Sequence, residues 1–111
     1  MAKQLKFVML LDCYGDLLTQ HQRNIMELYY CDDLSLAEIS QPLGITRQAV
    51  RSIIKRTEEL LLNYEEKLRF AEKLGKMRVC FDNISAVAQN ISDENIRNAL
   101  AEQISDALKL L

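Results

Sequence analysis

The chain has 111 residues, 49% of them apolar, with 14 Lys and Arg set against 16 Asp and Glu. That length bounds it to one compact domain, at most with a helical extension, and a net charge of −2 excludes binding to polyanions by bulk attraction. Three Gly, one Pro and no sustained apolar–polar alternation leave little room for a sheet, so the fold class read from the sequence is all-α.

Taken in order, Lys3 and Lys6 precede only FVMLL before Asp12 breaks the run, so no secretory leader is expected. No apolar run approaches the ~20 residues of a membrane span. Cys13, Cys31 and Cys80 are odd in number and widely spaced, which fits neither a disulfide framework nor a zinc site. They point to a reducing cytoplasm and read as small core hydrophobes. Residues 3–14 place Leu5, Val8, Met9 and Leu11–Asp12–Cys13 on a helical period, giving a first amphipathic helix that ends near Gly15. Thr19 caps a second helix, with Gln22 at the capping-box position. Its inward stripe is Ile25, Met26, Leu28 and Tyr29, and it ends around Cys31. His21, in the first turn, has no Cys, Asp or Glu at ligand spacing and reads as a surface or capping residue.

The stretch from Leu34 to Leu61 organises the chain as two helices around a tight turn. Ser35 and Glu38 form a reciprocal capping box, with Leu34 and Ile39 as its staple. Pro42 removes a backbone donor and bends the last turn of this short helix. Gly44 closes it where a left-handed residue costs least. Thr46 caps the second helix, with Ile45 and Val50 as staple. Inward positions fall at Ile39, Leu43, Ile45, Val50 and Ile53, with small Ser40 where the second helix approaches closely. Spacing, caps and turn agree on a helix-turn-helix.

From Val50 the positions Ile54, Thr57, Leu61, Tyr64, Leu68 and Ala71 step by four and three, with no breaker between Thr46 and Gly75. The pattern predicts one helix of about 28 residues, ~42 Å long. A further stripe, Met77, Cys80, Phe81, Ile84, Val87 and Ile91, repeats the spacing. Ser92 is the expected cap of a last helix showing Ile96, Leu100, Ile104, Leu108 and Leu111 on one face. The implied division is a helix-turn-helix domain at 1–61, a three- to four-helix bundle without a wing. A helical extension at 62–111 continues the recognition helix. Heptad spacing makes a homodimer a home for the unburied apolar faces.

Charge is banded. Residues 47–56 carry Arg47, Arg51, Lys55 and Arg56 with no acid. Glu58, Glu59, Glu65 and Glu66 follow with no base, and then Lys67, Arg69, Lys73, Lys76 and Arg78 against Glu72 alone. The first band is either a nucleic-acid contact or a solvated face whose Arg51 and Lys55 pair with Glu58 and Glu59. Tyr29, Tyr30, Phe70 and Phe81 suit a core or an interface, and no bases interleave them as a single-strand stacking platform would need. With one His, no Gly-rich phosphate loop and no nucleophile beside a base, neither an enzyme nor a cofactor or metal site is expected.

LSLAEIS (34–40) and ITRQAVR (45–51) resemble the promoter-reading helix-turn-helix of sigma factors. The stretches LTQHQRNIMELYYCDDLSLAEIS, ITRQAV and IKRTEELLLNYEEKL resemble more closely the YlxM-like family of small bacterial helix-turn-helix proteins, over roughly residues 3–75. The sigma resemblance implies that Thr46 caps the recognition helix and offers its hydroxyl to phosphate. Arg47, Gln48, Arg51, Ser52 and Lys55 would share the exposed face, with Arg able to read guanine and Gln adenine. Lys55 and Arg56 would take backbone phosphate. Sigma recognition helices carry an acid where Gln48 stands and a larger polar residue at Ser52, so no −35 base preference is carried over.

The YlxM-like resemblance implies a gene beside those of the signal recognition particle GTPase and its receptor, and a regulatory role in that pathway without catalysis. Two partner classes follow: DNA in its major groove, or components of the particle, met through the long helix and the basic band at 67–78. The expected function is a small regulatory protein of that pathway with DNA-binding ability. The alternative is a dimeric, sequence-specific transcriptional regulator tied to targeting only through the genes it controls.

Overall fold

Six α-helices and one 3-10 turn make up the regular structure in the computed structural model, which describes residues 3–111. Among these residues there is no strand, and no helix is long and apolar enough to cross a membrane. Helix α1 spans Leu5–Tyr14, followed by the 3-10 turn Gly15–Leu17 and α2 at Gln20–Tyr30. Helices α3 (Leu36–Leu43) and α4 (Arg47–Leu68) form the helix-turn-helix. Helices α5 (Phe70–Ala88) and α6 (Glu94–Lys109) complete the chain.

One compact unit runs through Ala71 and a second from Glu72 to Leu111. The expected boundary between residues 61 and 62 lies inside α4. In the first unit, α1, α2 and α3 all pack on α4. Ile25, Met26, Val50 and Leu61 are wholly buried there, with Phe7, Leu10, Leu11, Tyr14, Ile39 and Ile54 around them. Burial of each such side chain stabilises the unit by about 1.5–3 kcal/mol. The Phe7 and Tyr30 rings lie 5.4 Å apart and those of Tyr14 and Tyr64 5.8 Å. Thr57 falls on the buried seam of α4 as the step pattern predicts, and its hydroxyl donates to the Ile53 carbonyl at 2.7 Å.

Several expectations are corrected. In α1 the core side is Phe7, Leu10, Leu11 and Tyr14, while Leu5 and Met9 face solvent. All of that helix except Lys6 and Asp12 is apolar, so apolar spacing alone could not set its phase. Leu43, the last residue of α3, is 42% exposed. Cys31 and Cys80 are exposed and so are not core hydrophobes, whereas Cys13 is half-buried against the core. The cap of α6 is Asp93, not Ser92: its carboxylate accepts from the Asn95 and Ile96 amides. Ile96 is exposed, and Leu111 lies beyond the helix end.

The largest correction concerns the long helix. It stops at Leu68, Arg69 adopts the left-handed conformation (φ 55°), and Gly75 sits inside α5. The cause is not local. The Tyr14 hydroxyl donates to Glu65 Oε1 at 2.6 Å and accepts the Phe70 N–H at 3.1 Å. The same Oε1 accepts the Ala71 N–H at 3.1 Å. Two N–H groups at the start of α5, which a new helix leaves without carbonyl partners, are thus satisfied by side chains. A tyrosine from α1 stands in for the breaker that the α4–α5 stretch lacks.

Candidate nucleic-acid interface

The helix-turn-helix is built from short-range bonds that residue type dictates. Ser35 Oγ accepts the Glu38 amide at 3.1 Å while Glu38 returns a carboxylate to the Ser35 amide at 3.0 Å. The bond from the Ser35 amide foremost, and then the Ser35 side chain, hold the Glu38 carboxyl below its ordinary value. Gly44 is left-handed (φ 66°), and the Gly44 and Ile45 amides return to carbonyls at the end of α3. Pro42 lies within that last turn, exposed. Ser40 is buried, its hydroxyl bonded to the Ala37 carbonyl, so nothing bulky or unsatisfied stands at the crossing of α3 and α4. Thr46 Oγ1 then accepts the Ala49 amide at 3.0 Å and starts α4.

The entrance to α3 has a support that the sequence reading missed. Lys3 Nζ donates to the carbonyls of Tyr29 at 2.6 Å and Leu34 at 2.7 Å. It also sits 3.4 Å from Asp33 and 3.7 Å from the centre of the Tyr29 ring. One ammonium thereby ties residue 3 to the α2–α3 connection and satisfies a carbonyl of the last turn of α2. A lysine near a chain start carries no local signal of such a role.

Thr46, Arg47, Gln48, Arg51, Ser52, Lys55 and Arg56 are all exposed, on the first three turns of α4. Among the described residues none of the four cations takes part in an ion pair. The pairing of Arg51 and Lys55 with Glu58 and Glu59 expected of a solvated face is not made among the described residues. Glu58 instead accepts the Tyr30 hydroxyl at 2.8 Å. Burial and that bond push the Tyr30 phenol well above its ordinary value.

The cations fall on two flanks. Arg51 and Lys55 border a hollow of about 280 Å³ with Tyr29, Leu36, Ile54 and Glu58. Arg56 and Ile53 border another, of about 370 Å³, with Thr19, His21 and Gln22 from the first turn of α2. The α2 residues were legible as a cap, not as neighbours of Arg56, because only tertiary packing brings them there. An exposed helix bearing Arg, Gln, Ser and Lys on one face, with three helices packed on it, has the chemistry to enter a groove and read base edges.

Fold and site together define a helix-turn-helix protein. The comparisons give the family: residues 1–106 match the profile described as "Putative helix-turn-helix protein, YlxM / p13 like", and the chain belongs to that family. A relative from Clostridium perfringens is 38% identical over 110 residues, 97% of this chain and 98% of its own. One from Bacillus cereus strain AH187 is 43% identical over 102 residues, 92% and 90% of the two chains. A Clostridium kluyveri relative is 51% identical over 73 residues, and the match spans 66% of each chain, just under two thirds.

Proposed function

We propose that this protein is a small cytoplasmic regulator, not an enzyme, that binds DNA in the major groove as a homodimer. Thr46, Arg47, Gln48, Arg51, Ser52, Lys55 and Arg56 form the contact face. The observation that carries the reading is that four cations stand exposed on the leading turns of α4 with no ion pair among the described residues, while Glu58, beside Arg51 and Lys55, accepts the Tyr30 hydroxyl. An open cationic face of this kind attracts phosphate at short range although the whole chain is acidic. Arg47, Gln48 and Arg51 supply base contacts, and Lys55 and Arg56 supply phosphate contacts. A place in the signal recognition particle pathway rests on the family's gene neighbourhood alone, with control of that pathway's genes as the simplest connection.

The test compares the wild type with an Arg47→Ala/Arg51→Ala pair, scoring DNA fragments and particle components recovered from the same extract. DNA retained by the wild type and lost by the pair supports the reading. In Lys55→Ala/Arg56→Ala, which removes the two phosphate contacts, the slope of log affinity against log salt should flatten by about 2 for each protomer. Particle protein or RNA recovered equally by both forms, without DNA, overturns it.

A further inference from the structure

Lys73, Met77, Cys80, Ile84 and Val87 follow one another along α5 at steps of four and three, and Ile91 continues the series in the turn beyond. Three apolar members stand open to solvent: Met77 is 47% exposed, Ile84 45% and Val87 69%. Alternating steps of four and three are the spacing at which one helix packs along another. The neighbouring positions Leu74, Phe81 and Ala88 are buried or half-buried, so this is a more exposed seam bordering the side that packs within the chain.

We propose that this seam is the homodimer interface, two copies of α5 packing antiparallel about a two-fold axis near Asp82. The inference rests on the dimeric reading above and gives it a surface and a register. Charge selects the direction. Lys73 stands near the start of α5 beside Lys76, which pairs with Glu72 at 3.1 Å, and Glu94 follows its end beside Asp93, the cap of α6. A parallel pair sets each band against its like. An antiparallel pair sets the lysines of one copy beside the acids of the other, and like charges across an interface exclude the wrong arrangement. Lys73 and Glu94 take no ion pair among the described residues, so both are available. Asp82, two residues beyond Cys80, lies on the far side of the helix and does not meet its copy.

The same register accounts for a hollow. Asn83, Ile84, Val87, Ala88, Ile91 and Leu100 line an apolar depression of about 300 Å³. With Cys80 of one copy against Ile84 of the other, Met77 of each falls opposite Val87 of its partner, over that depression. An unbranched thioether adapts to an irregular hollow, and the two-fold axis makes the fit reciprocal.

The full chain, free of DNA, should sediment at twice its 12.8 kDa. Ile84→Glu/Val87→Glu should halve that mass with helicity unchanged, since Ile84 is 45% and Val87 69% exposed. Register is read with Met77→Cys and Val87→Cys in a Cys80→Ser background. The double variant should oxidise to a covalent dimer, and neither single variant should. A wild type that sediments as one chain overturns the proposal, as does a dimer that survives Ile84→Glu/Val87→Glu. Rapid Cys80–Cys80 linkage in the wild type also overturns it, because that requires parallel helices or a two-fold axis at Cys80 instead of near Asp82. A single chain that still binds DNA would sink this seam and leave the recognition face standing, whereas a dimer indifferent to DNA would do the reverse.

Discussion

Two turns bound α4, and they are held by different means. The turn at Gly44 is assembled from residues within a few positions of one another: a left-handed glycine, a threonine cap, and amides that fold back on the preceding helix. The turn at Arg69 puts a residue with a Cβ into the left-handed region, which costs roughly 1–2 kcal/mol. It persists because Tyr14 and Glu65 hold the amides of Phe70 and Ala71. The first turn can form with its own segment. The second requires α1 to be in place.

The sharpest way to break this comparison is Tyr14→Phe. It keeps the ring in the core but strips a hydrogen bond from the Glu65 carboxylate and another from the Phe70 amide. Chemical denaturation should report a loss of about 1.5–3 kcal/mol, the range for a bond to a charged group. Hydrogen exchange should accelerate at Phe70 and Ala71 and stay unchanged at Gly44 and Ile45. Loss of protection at both turns would mean that they are not separately held.

Gly44→Ala should come next. No atom lies within 4 Å of an added Cβ there, so the cost is backbone strain alone, about 1–2 kcal/mol in thermal or urea unfolding. Thr46→Ala removes one cap and should cost about 1 kcal/mol. In both variants the exchange pattern should reverse, with Gly44 and Ile45 losing protection and Phe70 keeping it.

The smallest effects separate the regions by pH. Burial first, and then the bond to Glu65, push the Tyr14 phenol to about 12. A raised value means that the unfolded chain ionises first. The clasp's stability is therefore complete below about pH 10, the ordinary tyrosine value, and is lost as pH rises through about 12. An alkaline titration of unfolding should show a shallower decline in Tyr14→Phe than in the wild type. Glu38 is displaced the other way, so the capping box stabilises above the ordinary carboxylate value and weakens as pH falls through its lower folded value. Glu38→Gln, which can still accept the Ser35 amide, should flatten the acid side only.

This contrast also governs what could be read from residues alone. Ser35 with Glu38, Gly44, and Thr19 with Gln22 announce themselves because partner and signal lie three or four positions apart. The break at Arg69 could not be seen. Glu65 looks like any surface glutamate on a helix, Tyr14 is 51 residues from it, and Gly75 offered a more plausible stop. Asp93 displaced Ser92 as a cap by one position because both residue types serve and only backbone geometry decides. The residues of the proposed contact face could be listed from the sequence. That its cations stay unpaired could not be read there, since this depends on Tyr30 reaching Glu58 from α2.

That last bond reaches beyond stability. A phenol on one helix keeps a carboxylate from swinging toward Arg51 and Lys55 on another, and so sets the local field without touching a ligand. Tyr30→Phe would free Glu58 to fold over its cationic neighbours. The expected consequence is kinetic: slower capture of a polyanion, most evident at low ionic strength, with the release rate little changed.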